Sequence, residues 1–111
     1  MGELYEERRQ EPRFATAGRY RLESGRGGAI AGRILDLSLN GALLEHSGAA
    51  QLQPGTHHAV TLEFDGLPPF RGDSLLVRAD SAHIGIEFYD MDPKNFAALS
   101  NLIEALARAQ R

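Results

Sequence analysis

Short runs in which apolar and polar residues alternate occupy most of the chain, a pattern typical of β-strands with one buried face. The runs and the glycine- or proline-containing turns between them predict six strands, at residues 14–23, 29–39, 42–45, 58–64, 70–80 and 83–89. Six short antiparallel strands indicate a small β-barrel or sandwich. We favour the barrel, because closure removes the exposed edges that an open sheet would have.

The spacing of apolar residues changes near the C-terminus and predicts one α-helix over about residues 93–110. Asp92 is a good N-cap, and Pro93 suits the first helical position. The apolar residues recur every three or four positions and form one stripe, which comprises Phe96, Leu99, Leu102, Ile103 and Leu106. This stripe must be buried, either on the barrel or on a partner. The fold class is therefore all-β dominated, with a C-terminal helix.

The second predicted strand ends in a polar motif. Its inward face is expected to carry Leu35, Leu37 and Leu39. Asp36 and Ser38 then stand side by side on the outer face, since successive side chains point to opposite sides of a strand. Asn40-Gly41 predicts a tight turn, because both residue types tolerate positive φ. The adjacent apolar pair Ile34-Leu35 breaks the alternation and indicates a β-bulge.

Composition limits the function more than the fold. The chain has 111 residues, enough for one domain, and a net charge of −3. Its pI of about 5.8 argues against binding to a nucleic-acid polymer. No apolar run approaches the ~20 residues needed to span a bilayer, and the N-terminus lacks the apolar core of an export signal. We therefore expect no membrane insertion and a cytoplasmic location.

Positive charge is concentrated near the N-terminus, where residues 1–33 contain seven arginines against five glutamates, a balance of +2. Arg9 and Arg13 are spaced Arg-x-x-x-Arg in this region, and Pro12 between them prevents a regular helix. Guanidinium groups bind phosphate through paired, charge-assisted hydrogen bonds and also recognise guanine. A carboxylate such as that of Asp36 can accept hydrogen bonds from the N1–H and exocyclic amine of guanine.

The two motifs, Arg9-x-x-x-Arg13 followed by Asp36-x-Ser38-x-x-Gly41, resemble those of the PilZ domain, a bacterial receptor for cyclic di-GMP. The final-strand segment 85–88 (Gly-Ile-Glu-Phe) is similar to a signature of the same family, and the resemblance covers nearly the whole chain. It implies a split barrel.

The resemblance also implies the ligand contacts. Arg9 and Arg13 are expected to contact phosphates and guanine bases, and Asp36, Ser38 and Gly41 to complete the guanine site. Arg8, just before the motif, resembles members that hold an intercalated pair of ligands.

The resulting hypothesis is a non-enzymatic receptor with cyclic di-GMP as its ligand and no cofactor. Residues 1–13 form a flexible arm that reorders when ligand bridges it to the barrel of residues 14–111. The protein then signals to a separate protein effector, as a monomer or weak homodimer. The alternative is a PilZ-like adaptor that binds proteins without nucleotide. Single-strand nucleic-acid binding is disfavoured, because aromatic residues make up only 7% and Trp is absent.

Metal and hydrolase chemistry are disfavoured by the sequence. The chain has four histidines, His46, His57, His58 and His83, and no cysteine. The adjacent pair points to opposite faces of a strand, and nothing nearby completes a four-ligand set. A triad of Ser38, His46 and Asp36 lacks the Gly-x-Ser-x-Gly elbow that exposes a serine nucleophile.

Overall fold

The computed structural model describes residues 14–15, 17–23, 28–46 and 52–109, and these form seven strands and one helix. The strands are β1 (Phe14–Ala15), β2 (Arg19–Glu23), β3 (Ala29–Leu37), β4 (Gly41–Glu45), β5 (His57–Glu63), β6 (Phe70–Ala79) and β7 (His83–Tyr89). The helix is α1 (Pro93–Ala109).

Six of these strands close into an antiparallel barrel. Their order is β3-β2-β5-β6-β7-β4, and β4 pairs back to β3. Every neighbouring pair is antiparallel. The predicted six-stranded barrel with a C-terminal helix is confirmed, and β1 adds a short seventh strand beside β3.

The first predicted strand, residues 14–23, is interrupted in the middle. Both of its parts pair with the same edge of β3, with Phe14 opposite Leu37 in β1 and Arg19 opposite Arg33 in β2. The register differs by one residue between the two parts. The backbone carbonyl of Gly18 lies at the interruption and accepts a hydrogen bond from the N–H of Ile34 at 2.8 Å.

The other edge of β3 contains the predicted bulge. Its pairing with β4 shifts between Ile34 and Asp36. As a result Ile34 and Leu37 are both buried, with 1% and 0% of their surface exposed. Leu35 is half-buried, so the expectation that it points into the core alongside Leu37 is wrong. A bulge inserts one extra residue and thereby resets the inward–outward alternation.

Inward-facing side chains from all six barrel strands form one core. Its most buried barrel members are Tyr20, Leu22, Ile34, Leu37, Ala42, Leu44, Val60, Leu62, Phe70, Leu76, Ile84 and Ile86. The Tyr20 hydroxyl donates to the backbone carbonyl of Glu45 at 2.7 Å. Burial, and then the nearby Glu45 carboxylate, raise the pKa of Tyr20 above its usual value. The polar tip of this buried side chain thus has a backbone hydrogen-bond partner.

Helix α1 begins at the predicted cap. The Asp92 carboxylate accepts from the N–H of Asn95 at 2.8 Å, and its backbone carbonyl accepts from the N–H of Phe96 at 2.9 Å. The buried face consists of Leu99, Leu102, Ile103 and Leu106. Phe96 does not belong to this face, because 49% of its surface is exposed. Within the described ranges, no helix is long and apolar enough to span a membrane.

Helix α1 contacts β6 and β1 and therefore packs on the barrel of its own chain. Leu99 is fully buried, with 0% of its surface exposed, and joins the barrel core. The apolar face of α1 is therefore buried by the chain's own barrel, next to β6.

Packing of α1 on the barrel can be tested with a matched pair of substitutions. We expect Leu99→Ala to lower the free energy of unfolding by about 2–5 kcal/mol, because it leaves a cavity in the core. Phe96→Ala, in the same helix, should cost less than about 1 kcal/mol, since half of that side chain is already in water. Urea unfolding followed by circular dichroism measures both. Equal, small losses would contradict the packing described here.

Candidate functional site

Asp36 lies on the outside of the barrel at the point where three strands meet. Its position in β3 is paired with Ala15 of β1 on one side and with Leu43 of β4 on the other. The residue is half-buried and follows directly after the bulge. The bulge and the short β1 pairing therefore determine where this carboxylate emerges from the sheet.

Ser38 does not stand beside Asp36 on the outer face, and that expectation is wrong. Strand β3 ends at Leu37, and only 1% of the surface of Ser38 is exposed. Its hydroxyl donates to the carbonyl of Gly41 and accepts from the N–H groups of Asn40 and Gly41, all at 3.3 Å. The backbone N–H of Ser38 also donates to the Gly41 carbonyl at 2.9 Å. Ser38 thus organises the hairpin turn between β3 and β4 from inside.

Gly41 is required by a close approach rather than by its φ angle. Among the described residues, positive φ occurs only at Asp90, Gly55 and Gly66, so the expectation of positive φ at Asn40 and Gly41 is wrong. A Cβ atom at position 41 would overlap the backbone carbonyl oxygen of Ile86 in β7. Any larger residue would push β4 away from β7 and open the barrel next to the turn.

The three arginines predicted to bind ligand, Arg8, Arg9 and Arg13, lie outside the described residues, as does the predicted arm of residues 1–13. The first described residue, Phe14, is paired with Leu37.

A second feature of the outer surface is a groove of about 840 Å³, beside the interruption between β1 and β2. It is lined by Ala17, Arg19, Arg33, Glu63, Phe64, Asp65, Gly66, Leu67 and Pro69. Sequence reasoning treated Arg19 and Arg33 only as part of the positive N-terminal region. The two arginines lie side by side because of the β2–β3 register, which the sequence alone does not give. The sequence indicated only that both lie on the exposed faces of their strands.

Three of the four histidines make local contacts. The rings of His57 and Tyr89 are 4.4 Å apart, and His58 lies 2.9 Å from the hydroxyl of Thr56. Burial, and then the neighbouring His57, lower the pKa of His58. His83 lies 3.6 Å from a carboxylate oxygen of Asp80. No three His, Asp or Glu residues come together as a metal site within the ranges described.

Comparison with solved structures shows the same fold in PilZ domains. The PilZ domain of YcgR from Escherichia coli, solved with c-di-GMP, is 22% identical with a TM-score of 0.80, and the match covers 94% of this chain and 95% of that one. The PilZ domain of CeSA from a cellulose-synthesizing bacterium is 18% identical with a TM-score of 0.75, covering 86% and 98% of the two chains.

A longer protein also contains this fold. The K. pneumonia MrkH–c-di-GMP complex is 16% identical with a TM-score of 0.74, and the match covers 92% of this chain but 54% of the MrkH chain. No curated protein sequence matches this chain. The family model described as the PilZ domain matches residues 7–105, which include both arginine and aspartate motifs and all seven strands. The chain therefore belongs to the PilZ domain family.

Proposed function

We propose that this protein is a receptor for cyclic di-GMP, with Arg9, Arg13 and Asp36 as its principal ligand-binding residues. The observation that carries the proposal is the register of β1 against β3, in which Phe14 lies opposite Leu37. The proposal is that the arginine motif, which precedes Phe14 in the sequence, acts together with Asp36, which precedes Leu37. The similar YcgR and MrkH structures were solved with c-di-GMP, which supports the choice of ligand.

The chemistry of the two motifs complements this ligand. Cyclic di-GMP carries two phosphodiester charges, which the guanidinium groups of Arg9 and Arg13 neutralise through charge-assisted hydrogen bonds. The half-buried carboxylate of Asp36 accepts from the N1–H and exocyclic amine of a guanine. Adenine has no N1–H at this edge, so the carboxylate selects guanine over adenine.

Ser38 and Gly41 contribute by shaping the site. The hydroxyl of Ser38 is held inside the β3–β4 turn, and Gly41 keeps that turn against Ile86. Both residues maintain the position at which Asp36 leaves the barrel, and the absent side chain of Gly41 lets ligand approach the backbone. Arg8 is proposed to add a contact to a second, intercalated ligand.

Signal output is proposed to depend on the N-terminal arm of residues 1–13. Ligand bridges residues 1–13 to the Asp36 face, and this changes the surface that the protein offers to a separate effector protein in the cytoplasm. No chemical step is required, so the proposed receptor is not an enzyme. A nucleotide-independent adaptor is the second candidate, since a PilZ barrel can present a binding surface without ligand.

Titration calorimetry with cyclic di-GMP tests the receptor proposal. We expect binding in the micromolar range or tighter, with no comparable binding of cyclic di-AMP. Arg13→Ala and Asp36→Ala should each weaken binding about tenfold or more, because each removes a charged hydrogen-bonding partner. Arg108→Ala, at the exposed end of α1, is the control for loss of one positive charge and should bind normally.

The absence of heat and of any thermal shift at saturating cyclic di-GMP would contradict the receptor proposal and favour the adaptor. In that case Arg9→Ala and Arg13→Ala would leave capture of the protein partner intact.

Comparing Ser38→Ala with Asp36→Asn separates shaping of the site from ligand contact. Ser38→Ala removes the acceptor used by two backbone N–H groups inside the turn, and we expect it to cost about 1–3 kcal/mol of stability. Asp36→Asn should lose selectivity for guanine, because an amide no longer supplies two equivalent acceptors. Thermal unfolding without ligand and calorimetry with ligand distinguish the two. A fully stable Ser38→Ala variant would contradict the structural role of this hydroxyl.

A further inference from the structure

The outer face of strands β5, β6 and β7 carries an exposed aromatic pair. The rings of His57 and Tyr89 lie 4.4 Å apart, and 45% of the surface of Tyr89 is exposed. Strand β6 runs between the two strands that carry these rings, and it contributes the half-buried Leu75, which is paired with His57, and the exposed Val77. Apolar side chains that cluster on one face of a protein, rather than lying singly, mark interaction surfaces.

Two exposed carboxylates adjoin the aromatic pair. Asp73 is directly opposite Tyr89 in the β6–β7 pairing, and Glu87 lies two residues before Tyr89 on the same face of β7. The remaining residues directly opposite the two carboxylates are uncharged: Ala59, Leu75 and Gly41. No cation of the chain therefore occupies a position directly across from either carboxylate.

Two arginines lie at the edges of this face. Arg71 is two residues from Asp73 along β6, and Arg78 is opposite Gly85, which is two residues from Glu87. Neither arginine forms an ion pair with a carboxylate in the part of the chain that the structure describes, and neither do Asp73 and Glu87 with any described cation. Both carboxylates are therefore available to a cation from outside.

An arginine side chain has the chemistry that this face requires. Its planar guanidinium stacks on an aromatic ring and is attracted by the negative face of that ring. The same group donates paired, charge-assisted hydrogen bonds to carboxylates. The wider charge distribution favours a cation as well, because residues 34–111 contain five basic and ten acidic residues, a balance of −5.

We propose that the face formed by His57, Asp73, Leu75, Glu87 and Tyr89 is the docking face for the effector protein, and that an arginine side chain of the effector binds between Tyr89 and the two carboxylates. The docking face deepens the proposed function, since it gives the effector a place and a chemistry, and it rests on that function for the existence of an effector.

The docking face is connected to the hairpin of the ligand motif. The N–H of Phe88 donates to the carbonyl of Asn40 at 2.8 Å, and Glu87 is paired with Gly41. Asp36 itself lies two strands away, because β4 separates β3 from β7. A docked effector is thus next to the turn that follows Asp36, and its arginine does not use the Asp36 carboxylate.

An NMR titration with two short peptides tests the docking face directly. The probes are acetyl-Leu-Arg-Leu-amide and the same peptide with citrulline, which has the shape of arginine without its charge. The arginine peptide should shift the ring resonances of Tyr89 and His57 saturably, and the citrulline peptide should bind about fivefold or more weakly, since the cation is lost. The ring resonances of Phe96, an equally exposed aromatic residue on α1, should not move.

Substitution of the aromatic ring tests its part in the site. Tyr89→Leu keeps an apolar side chain but removes the π-system, and it should weaken binding of the arginine peptide about threefold or more. Phe96→Leu is the matched control and should bind the peptide normally. Unchanged binding to Tyr89→Leu means that the peptide binds elsewhere, and it overturns the proposal.

Substitution of the carboxylates tests the charged part. The Asp73→Asn/Glu87→Gln double variant should bind the arginine peptide about fivefold or more weakly and lose the preference over citrulline, since the charge-assisted hydrogen bonds are gone. Asp65→Asn/Glu104→Gln is the control with the same change in net charge at two other exposed carboxylates. Equal weakening in both double variants shows only a general charge effect and overturns the proposal.

Failure of this inference is distinguishable from failure of the proposed function. Tyr89→Leu should bind cyclic di-GMP with wild-type affinity in calorimetry. If cyclic di-GMP binds but the two peptides bind equally or not at all, the docking face is overturned and the receptor stands. If the arginine peptide binds selectively while cyclic di-GMP does not bind, the receptor proposal fails and the docking face stands.

Sedimentation velocity tests a second copy of the chain as the occupant instead. The wild type and Tyr89→Leu should show the same oligomeric state. A dimer that Tyr89→Leu dissociates, together with no binding of the arginine peptide, means that the face joins two copies and overturns the effector proposal.

Discussion

Strand β3 is the constraint on which the rest of the molecule depends. One of its edges pairs with β2 and then with β1, and the other closes the barrel by pairing with β4. The bulge at Ile34–Asp36 lets this strand bend around the barrel while Ile34 and Leu37 both remain in the core. Without that extra residue, either Asp36 or the core leucine would point to the wrong side.

The motif after the bulge consists of two residues with structural roles and one outward-facing carboxylate. Ser38 hydrogen-bonds within the turn, and Gly41 packs closely against the backbone of Ile86. Asp36 lies on the outside of the barrel, half-buried, with a carboxylate that can accept hydrogen bonds. The Asp-x-Ser-x-x-Gly spacing is therefore best understood as one half-buried acceptor held by two structural residues.

Charge on the outer surface is organised by the strands rather than by the overall composition. A chain with net charge −3 nevertheless presents Arg19 and Arg33 side by side, a short distance along β3 from Asp36. Proteins avoid placing like charges on directly opposed strand positions unless something compensates for the repulsion. Here each arginine has a carboxylate neighbour on its other side, with Glu63 opposite Arg19 and Glu45 3.5 Å from Arg33.

The local sequence pattern predicted the secondary structure of most of the chain. The alternation of apolar residues identified the strands, the break at Ile34-Leu35 identified the bulge, and Asp92-Pro93 identified the start of the helix. These features depend on neighbours within a few residues, so their physics is visible in sequence. The two motifs were visible in the same way, as was the family to which they point.

Only the tertiary structure decided the features that depend on distant partners. Burial of Ser38 depends on a turn closed against β7, and exposure of Phe96 depends on which face of α1 packs against β6. The meeting of Arg19, Arg33 and Glu63 joins three strands whose register no local pattern specifies. Strand alternation determines which face a side chain is on, but register and closure determine which side chains it meets.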